Sequence, residues 1–265
     1  MIFFKTEEEL ELMRLSAMLV SHTIAEIARA IKPGITTLSL DELAGTYIRD
    51  NKGIPAFYNF ESYPFHICTS LNDVIAQGRP SGRVLREGDV VSIAAGVLMN
   101  EFHGDHAYTF ILGETSPEIL RLVKIAKESL FAGIEMAVAG NFLGEISSAI
   151  QHYNEKQGFG VVRDIGGHGI GRALHEMPQV ANFGRKASGI EMRQNLVLAL
   201  EPMVNLGKQG TIEEKDGSYR TADGSVSVHF EHNVVIRPEK AWVLSDFAPI
   251  EKAEKANKNL NSSYY

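Results

Sequence analysis

Two histidines, His168 and His175, lie among the glycines of Gly167-His168-Gly169-Ile170-Gly171-Arg172-Ala173-Leu174-His175-Glu176 and not on a periodic apolar face. Each can offer a neutral imidazole nitrogen to a metal ion or a hydrogen bond to a substrate. The glycines at 167, 169 and 171 allow backbone conformations and a close ligand approach that a Cβ forbids. Glu201 and Glu231 each interrupt an apolar strand pattern. Asn195 to Leu200 runs into Glu201-Pro202, and in Val226 to His232 the valines and Phe230 mark one face while Ser227, His229 and Glu231 share the other. A buried carboxylate needs a cation or donors, so Glu201, Glu231 and His168 together predict a metal. A third acid, Asp105, follows His103-Gly104; a hairpin turning at Met99-Asn100 sets Ala94 directly opposite it. Opposed residues share a face with Cβ atoms about 5 Å apart, a span that suits two carboxylates sharing metals, and here one partner is an alanine.

The elements that must position these residues follow from periodicity and caps. Thr6 with Glu9 forms a capping box for a helix carrying Leu10, Met13, Ala17, Val20, Ile24, Ile27 and Ile31, which Lys32-Pro33-Gly34 stops. Ser39 with Glu42 reads as a second capping box, for a helix ending at Asn51-Lys52-Gly53. Strand patterns cover 67–70, 74–76, 89–99 and 102–112. Ser116-Pro117 opens a third helix that ends near Ala139-Gly140, and a fourth runs through Ile146, Ile150 and Tyr153 to Gln157-Gly158. Strands are expected at 195–200 and 226–236, and the tail 251–265 is polar, frayed or a short helix. Helices then strands, twice over, predict an α+β fold. One domain spans 1–265, with pseudo-symmetric halves of about 1–115 and 116–250 and the site in their seam.

With 44% apolar and 22% charged residues, the chain has globular composition. A formal charge of −7 argues against capture of nucleic acid or an anionic membrane. One cysteine, Cys68, cannot form an internal disulfide, and no basic and apolar leader opens the chain, so a cytoplasmic monomer is expected.

Taken in order, Asn72-Asp73-Val74, His103-Gly104-Asp105, Gly167-His168-Gly169-Ile170-Gly171, His175-Glu176-Met177-Pro178-Gln179-Val180, Glu201-Pro202-Met203 and Phe230-Glu231-His232 resemble the type I methionine aminopeptidases of the pita-bread fold. The resemblance runs from the first helix to about Ser245. It implies that Asp105, His168, Glu201 and Glu231 are metal ligands, that Glu201 also transfers protons, and that His175 contacts the substrate peptide. It places Tyr63, Phe60, Cys68 and Leu174 around the methionine side chain, with Leu174 standing where a phenylalanine is usual and Ser218 where a tryptophan is common.

Two departures touch the chemistry. Ala94 replaces a metal-binding aspartate, and Gln77, before Gly78, replaces a substrate-side histidine. The resemblance then implies removal of N-terminal methionine from peptides or nascent chains, with one tightly held manganese, iron, cobalt or zinc ion favoured over two and turnover impaired. The alternative is a non-catalytic pita-bread module that binds a peptide or protein terminus. His66, His103, His106, His229 and His232 are set aside as replacement ligands. His106 alternates to the strand face opposite Asp105, and His103 and His232 stand in motifs the family has without using them for the metal.

Overall fold

A computed structural model describes residues 1–264. Helix α1 (Glu7–Ala30) opens with the expected capping box, Thr6 accepting from the Glu9 N–H and Glu9 accepting from the Thr6 N–H at 3.0 Å. All seven residues of its predicted apolar stripe are fully buried. Helix α2 (Thr37–Asp50) starts earlier than the sequence pattern suggested. Thr36 is its cap, accepting from the Ser39 N–H at 3.1 Å, so Ser39 is already inside the first turn.

Strands β1 (Ile54–Pro55), β2 (Ile67–Leu71), β3 (Val74–Ala76), β4 (Val90–Met99) and β5 (Phe102–Ile111) follow. β4 pairs along its whole length with β5, and its other edge is shared by β1 and β2, all antiparallel. The β4–β5 turn is Asn100-Glu101, both residues with positive φ (52° and 67°), which is the two-residue geometry that matches strand twist. These two loop residues move the register from the expected one: Gly96 faces Asp105, and Ala94 faces Ala107. Ala94 still lies on the same face as Asp105, one inward-facing position along.

Helix α3 (Pro117–Glu135) has Ser116 as its cap and Pro117 at its first position. It stops short of Ala139-Gly140 because the chain leaves to pair with Arg237, where the Ala139 N–H donates to the Arg237 carbonyl at 2.9 Å. Helix α4 (Leu143–Glu155) packs on α3, with Gly133 of α3 against Ile150. Next come β6 (Gly160–Val161), β7 (Gly167–Gly169), β8 (Glu176–Val180), β9 (Val197–Leu200), β10 (Met203–Asn205), β11 (Thr211–Glu213), β12 (Tyr219–Thr221), β13 (Ser227–His229), β14 (His232–Val235) and β15 (Trp242–Val243). They form a five-stranded sheet in the order β15-β14-β9-β7-β8 and three-stranded sheets β13-β10-β6 and β11-β12-β3.

The strand expected over 226–236 is therefore two strands in two sheets. It breaks at Phe230-Glu231, where the Phe230 side chain is fully buried and the Glu231 N–H turns to the Ala107 carbonyl at 3.0 Å. Helix α5 (Ala248–Ala256) is the short helix expected in the tail, and the segment after it is anchored, Tyr264 donating to Glu254 at 2.6 Å. Tyr265 lies outside the described residues. No helix among the described residues is long and apolar enough to cross a membrane.

Candidate metal centre

The four predicted metal-binding side chains converge. Asp105 comes from β5, His168 from β7, Glu201 from the end of β9, and Glu231 from the break between β13 and β14. His168 Nε2 lies 3.4 Å from Asp105 Oδ2 and 3.8 Å from Glu201 Oε1. Donor atoms of Asp105, His168 and Glu231 all fall within 4.8 Å of one another.

Local structure aims each group. The His168 Nδ1–H donates to the Gly169 carbonyl at 2.9 Å, which leaves the Nε2 lone pair facing the acids. Glycines 167 and 169 serve a purpose other than the one expected, since neither has positive φ. A Cβ on Gly167 would run into the Ala199 carbonyl oxygen of β9, and one on Gly169 into the Met177 carbonyl of β8, so both let strands close around His168. Asp105 is clamped by a residue that sequence reasoning missed. Asn233 donates from Nδ2 to Asp105 Oδ1 at 2.7 Å and accepts from the Asp105 N–H at 2.9 Å. Its signal was a polar residue two places after Glu231, at the alternating position of the strand pattern.

His229, set aside above as a replacement ligand, also enters the site. Its Nε2 stands 3.2 Å from Glu201 Oε2, and His229, Glu201 and Glu231 form a second triad of donor atoms within 4.8 Å. The alternation that placed His229 on the same side as Glu231 was the available signal. Of the other histidines set aside, His106 is turned away as expected, stacked at 4.9 Å on His232.

The site's electrostatics call for a cation. Burial, with Asp105 and Glu201 alongside, pushes the Glu231 carboxyl well above the usual carboxylate range. Three carboxylates and two imidazoles, mostly out of water, make a hard mixed O/N donor set that fits a divalent ion such as manganese, iron, cobalt or zinc.

The centre forms part of the wall of a cleft of about 650 Å³, large enough for the end of a peptide. Phe60, Tyr63, Cys68, Gln77, Leu174 and His175 line it. His175 sits 4.3 Å ring to ring from His168 and meets the edge of Phe60 at 5.0 Å. Burial first, then the neighbouring His168, lowers its pKa. The loop carrying it is pinned by a buried Lys5–Glu176 pair at 2.7 Å. Burial pushes the Cys68 thiol up to about 12, so it is a neutral wall and not a nucleophile. Tyr63 donates to the carbonyls of Ile67 and Gly78. Gln77 is exposed at the rim with φ 55°. Ala94 also lines the cleft and brings no donor; Ser218 does not line it, its hydroxyl donating instead to Asp216 at 2.7 Å.

Comparison with known proteins gives one consistent likeness. The profile of metallopeptidase family M24 matches residues 11–238. A methionine aminopeptidase of Clostridium acetobutylicum is 44% identical over 89% of this chain and 95% of its own length. Methionine aminopeptidase 1 of Bacillus subtilis is 40% identical over 89% of this chain and 96% of its own. The crystal structure of methionine aminopeptidase from Rickettsia prowazekii superposes with a TM-score of 0.91 at 35% identity, covering 93% of this chain and all of that one. The α+β pita-bread fold expected from the sequence is the fold observed.

Proposed function

As the chain belongs to the methionine aminopeptidases of metallopeptidase family M24, we propose that it removes N-terminal methionine from peptides or nascent chains, as a cytoplasmic monomer whose single domain is built of two similar halves meeting near residue 115. Asp105, His168, Glu201 and Glu231 hold one divalent ion tightly. Such an ion, when bound, supplies Lewis acidity to the scissile carbonyl and the attacking water. Glu201, less buried than its neighbours with a side chain 14% exposed, takes the proton from the attacking water and returns it to the leaving amine. His175, held neutral by burial, hydrogen-bonds the substrate backbone. Gln77 donates a hydrogen bond at the rim and cannot titrate. Tyr63, Phe60, Cys68 and Leu174 receive the methionine side chain. The observation that carries this reading is the convergence of four predicted ligands from four separate chain segments on one wall of a peptide-sized cleft.

The test is release of methionine from a Met-Ala-Ser peptide with manganese, cobalt or iron added. Turnover by the unmodified chain is expected, with Glu201→Gln lowering it by about 10²–10⁴-fold. Because Ala94 offers no donor and Gln77 no titrating group, a second reading is a peptide-terminus-binding module. An inert native chain, made active by Ala94→Asp with Gln77→His, establishes that second reading and refutes the first.

A further inference from the structure

We propose that His229 is itself a metal ligand in this chain, its Nε2 joining Glu201 and Glu231 as a second donor triad beside that of Asp105, His168 and Glu231. The proposal rests on the metal-dependent reading above and adds a residue that the family resemblance does not supply.

Four observations carry it. His229 is 95% buried by its 5% relative exposure, and its Nε2 has no hydrogen-bond partner although Glu201 Oε2 lies 3.2 Å away. A buried imidazole nitrogen without a partner is costly, and one aimed between two carboxylates gains a partner when a cation enters. The side chain is also fixed at its root. Thr109 Oγ1 accepts from the His229 N–H at 3.0 Å and donates to the His229 carbonyl at 2.8 Å, while β10 pairs with His229 on the other side through Met203. The imidazole enters beside the strand that brings no donor. Thr109 pairs with Ser92 on β4, and Ala94 is the next residue of β4 on that same face. Finally, the two triads share Glu231, and each then has one nitrogen and two carboxylates. The tight ion belongs to the His168 triad together with Glu201, and the His229 triad, which shares Glu201 and Glu231 with it, takes a second, weaker one. A second imidazole shifts preference towards cobalt, zinc and other nitrogen-binding ions over magnesium or calcium.

The test is a cobalt(II) titration of the full-length, metal-free chain, followed by proton NMR of the exchangeable imidazole N–H signals that a bound paramagnetic ion displaces. Two such signals are expected at saturation, the second appearing only with the weaker equivalent. His229→Gln should remove that second signal and weaken the second cobalt equivalent at least tenfold, leaving the first in place; His229→Asn is the alternative should the glutamine variant fail to fold. His175→Ala should leave both signals, which separates ligation from mere proximity. One displaced signal in the unmodified chain, or two that survive loss of His229, overturns the proposal and leaves His229 as a buried neighbour of Glu201. No cobalt binding at all overturns the metal-dependent reading as well.

Discussion

Asn233 decides how well Asp105 can act. A carboxylate brought to the seam by β5 has two rotatable bonds, and nothing on its own strand fixes them; the two-point contact from Asn233 does, with bonds of 2.7 and 2.9 Å. The backbone of Asn233 is held in turn, its main-chain N–H donating to Ser245 Oγ at 3.2 Å. Residues that orient a ligand typically change metal affinity by about 10–100-fold when removed. Asn233→Ala should therefore weaken manganese binding within that range by calorimetry while the chain stays folded. Unchanged affinity would show that Asp105 is oriented by its strand alone. The rest of the chemistry was more legible, because His168, Glu201 and Glu231 are the wrong residue types for the glycine-rich or apolar runs that contain them. Asn233 and His229 were not, since a single polar side chain on a strand has no meaning until its cross-strand neighbour is known.

At the level of elements, α1 lies close against the β4–β5 hairpin, and Gly104 sets that distance. A Cβ there would meet the backbone of Ala17 at 2.5 Å and Ser16 at 2.9 Å, neither of which can rotate aside. Ser16 Oγ bonds the Phe102 carbonyl at 2.9 Å in the same contact. Gly104→Ala should cost about 1–3 kcal/mol, the usual range for overpacking, read as a lowered urea midpoint. The start of α2 gives a finer comparison. Thr36→Ala removes a true cap and should cost about 1 kcal/mol, whereas Ser39→Ala, inside the helix, should cost much less; equal losses would restore Ser39 as the cap. The helices were readable to this accuracy because caps and apolar stripes are local. The β4–β5 register was not, because it depends on how many residues the turn takes. Asn100-Glu101 lacks the glycine that would have announced a two-residue loop, and the shift from Ala94 to Gly96 opposite Asp105 follows from that alone. The split of 226–236 was hidden for a related reason: alternation continued across Phe230-Glu231 while the sheet partner changed.

Across the whole molecule, the residues before and after about position 115 are joined at their ends and at the site. At one end, Arg237, just beyond β14, grips Glu7 of α1 with two bonds of 2.7 Å, and the Arg237 hydrogen bond holds the Glu7 carboxyl down to about 2. A lowered carboxylate pKa contributes stability that is complete above the unfolded value of 4.5 and is lost as pH falls from there towards 2. Glu7→Gln should be less stable than the unmodified chain at pH 7, with the gap in urea midpoints closing as pH drops below 4.5; a gap that stays constant would mean the pair is not ionic. At the site, β5 supplies Asp105 and later segments supply His168, Glu201 and Glu231, so without a cation three acids, two of them buried, face one another. An ion bound there belongs only to the folded chain, because unfolding separates ligands that are more than 120 residues apart in sequence, Asp105 and Glu231 among them. Binding at 100 times Kd adds about 2.7 kcal/mol to stability, and for a chain of this size each kcal/mol moves the melting midpoint by about 2–4 °C. Chelation should thus lower the midpoint by about 5–10 °C in calorimetry, and Asp105→Asn should abolish most of that difference. A midpoint indifferent to manganese in the unmodified chain would mean that the acids are reconciled by protonation, and that the site closes without a metal.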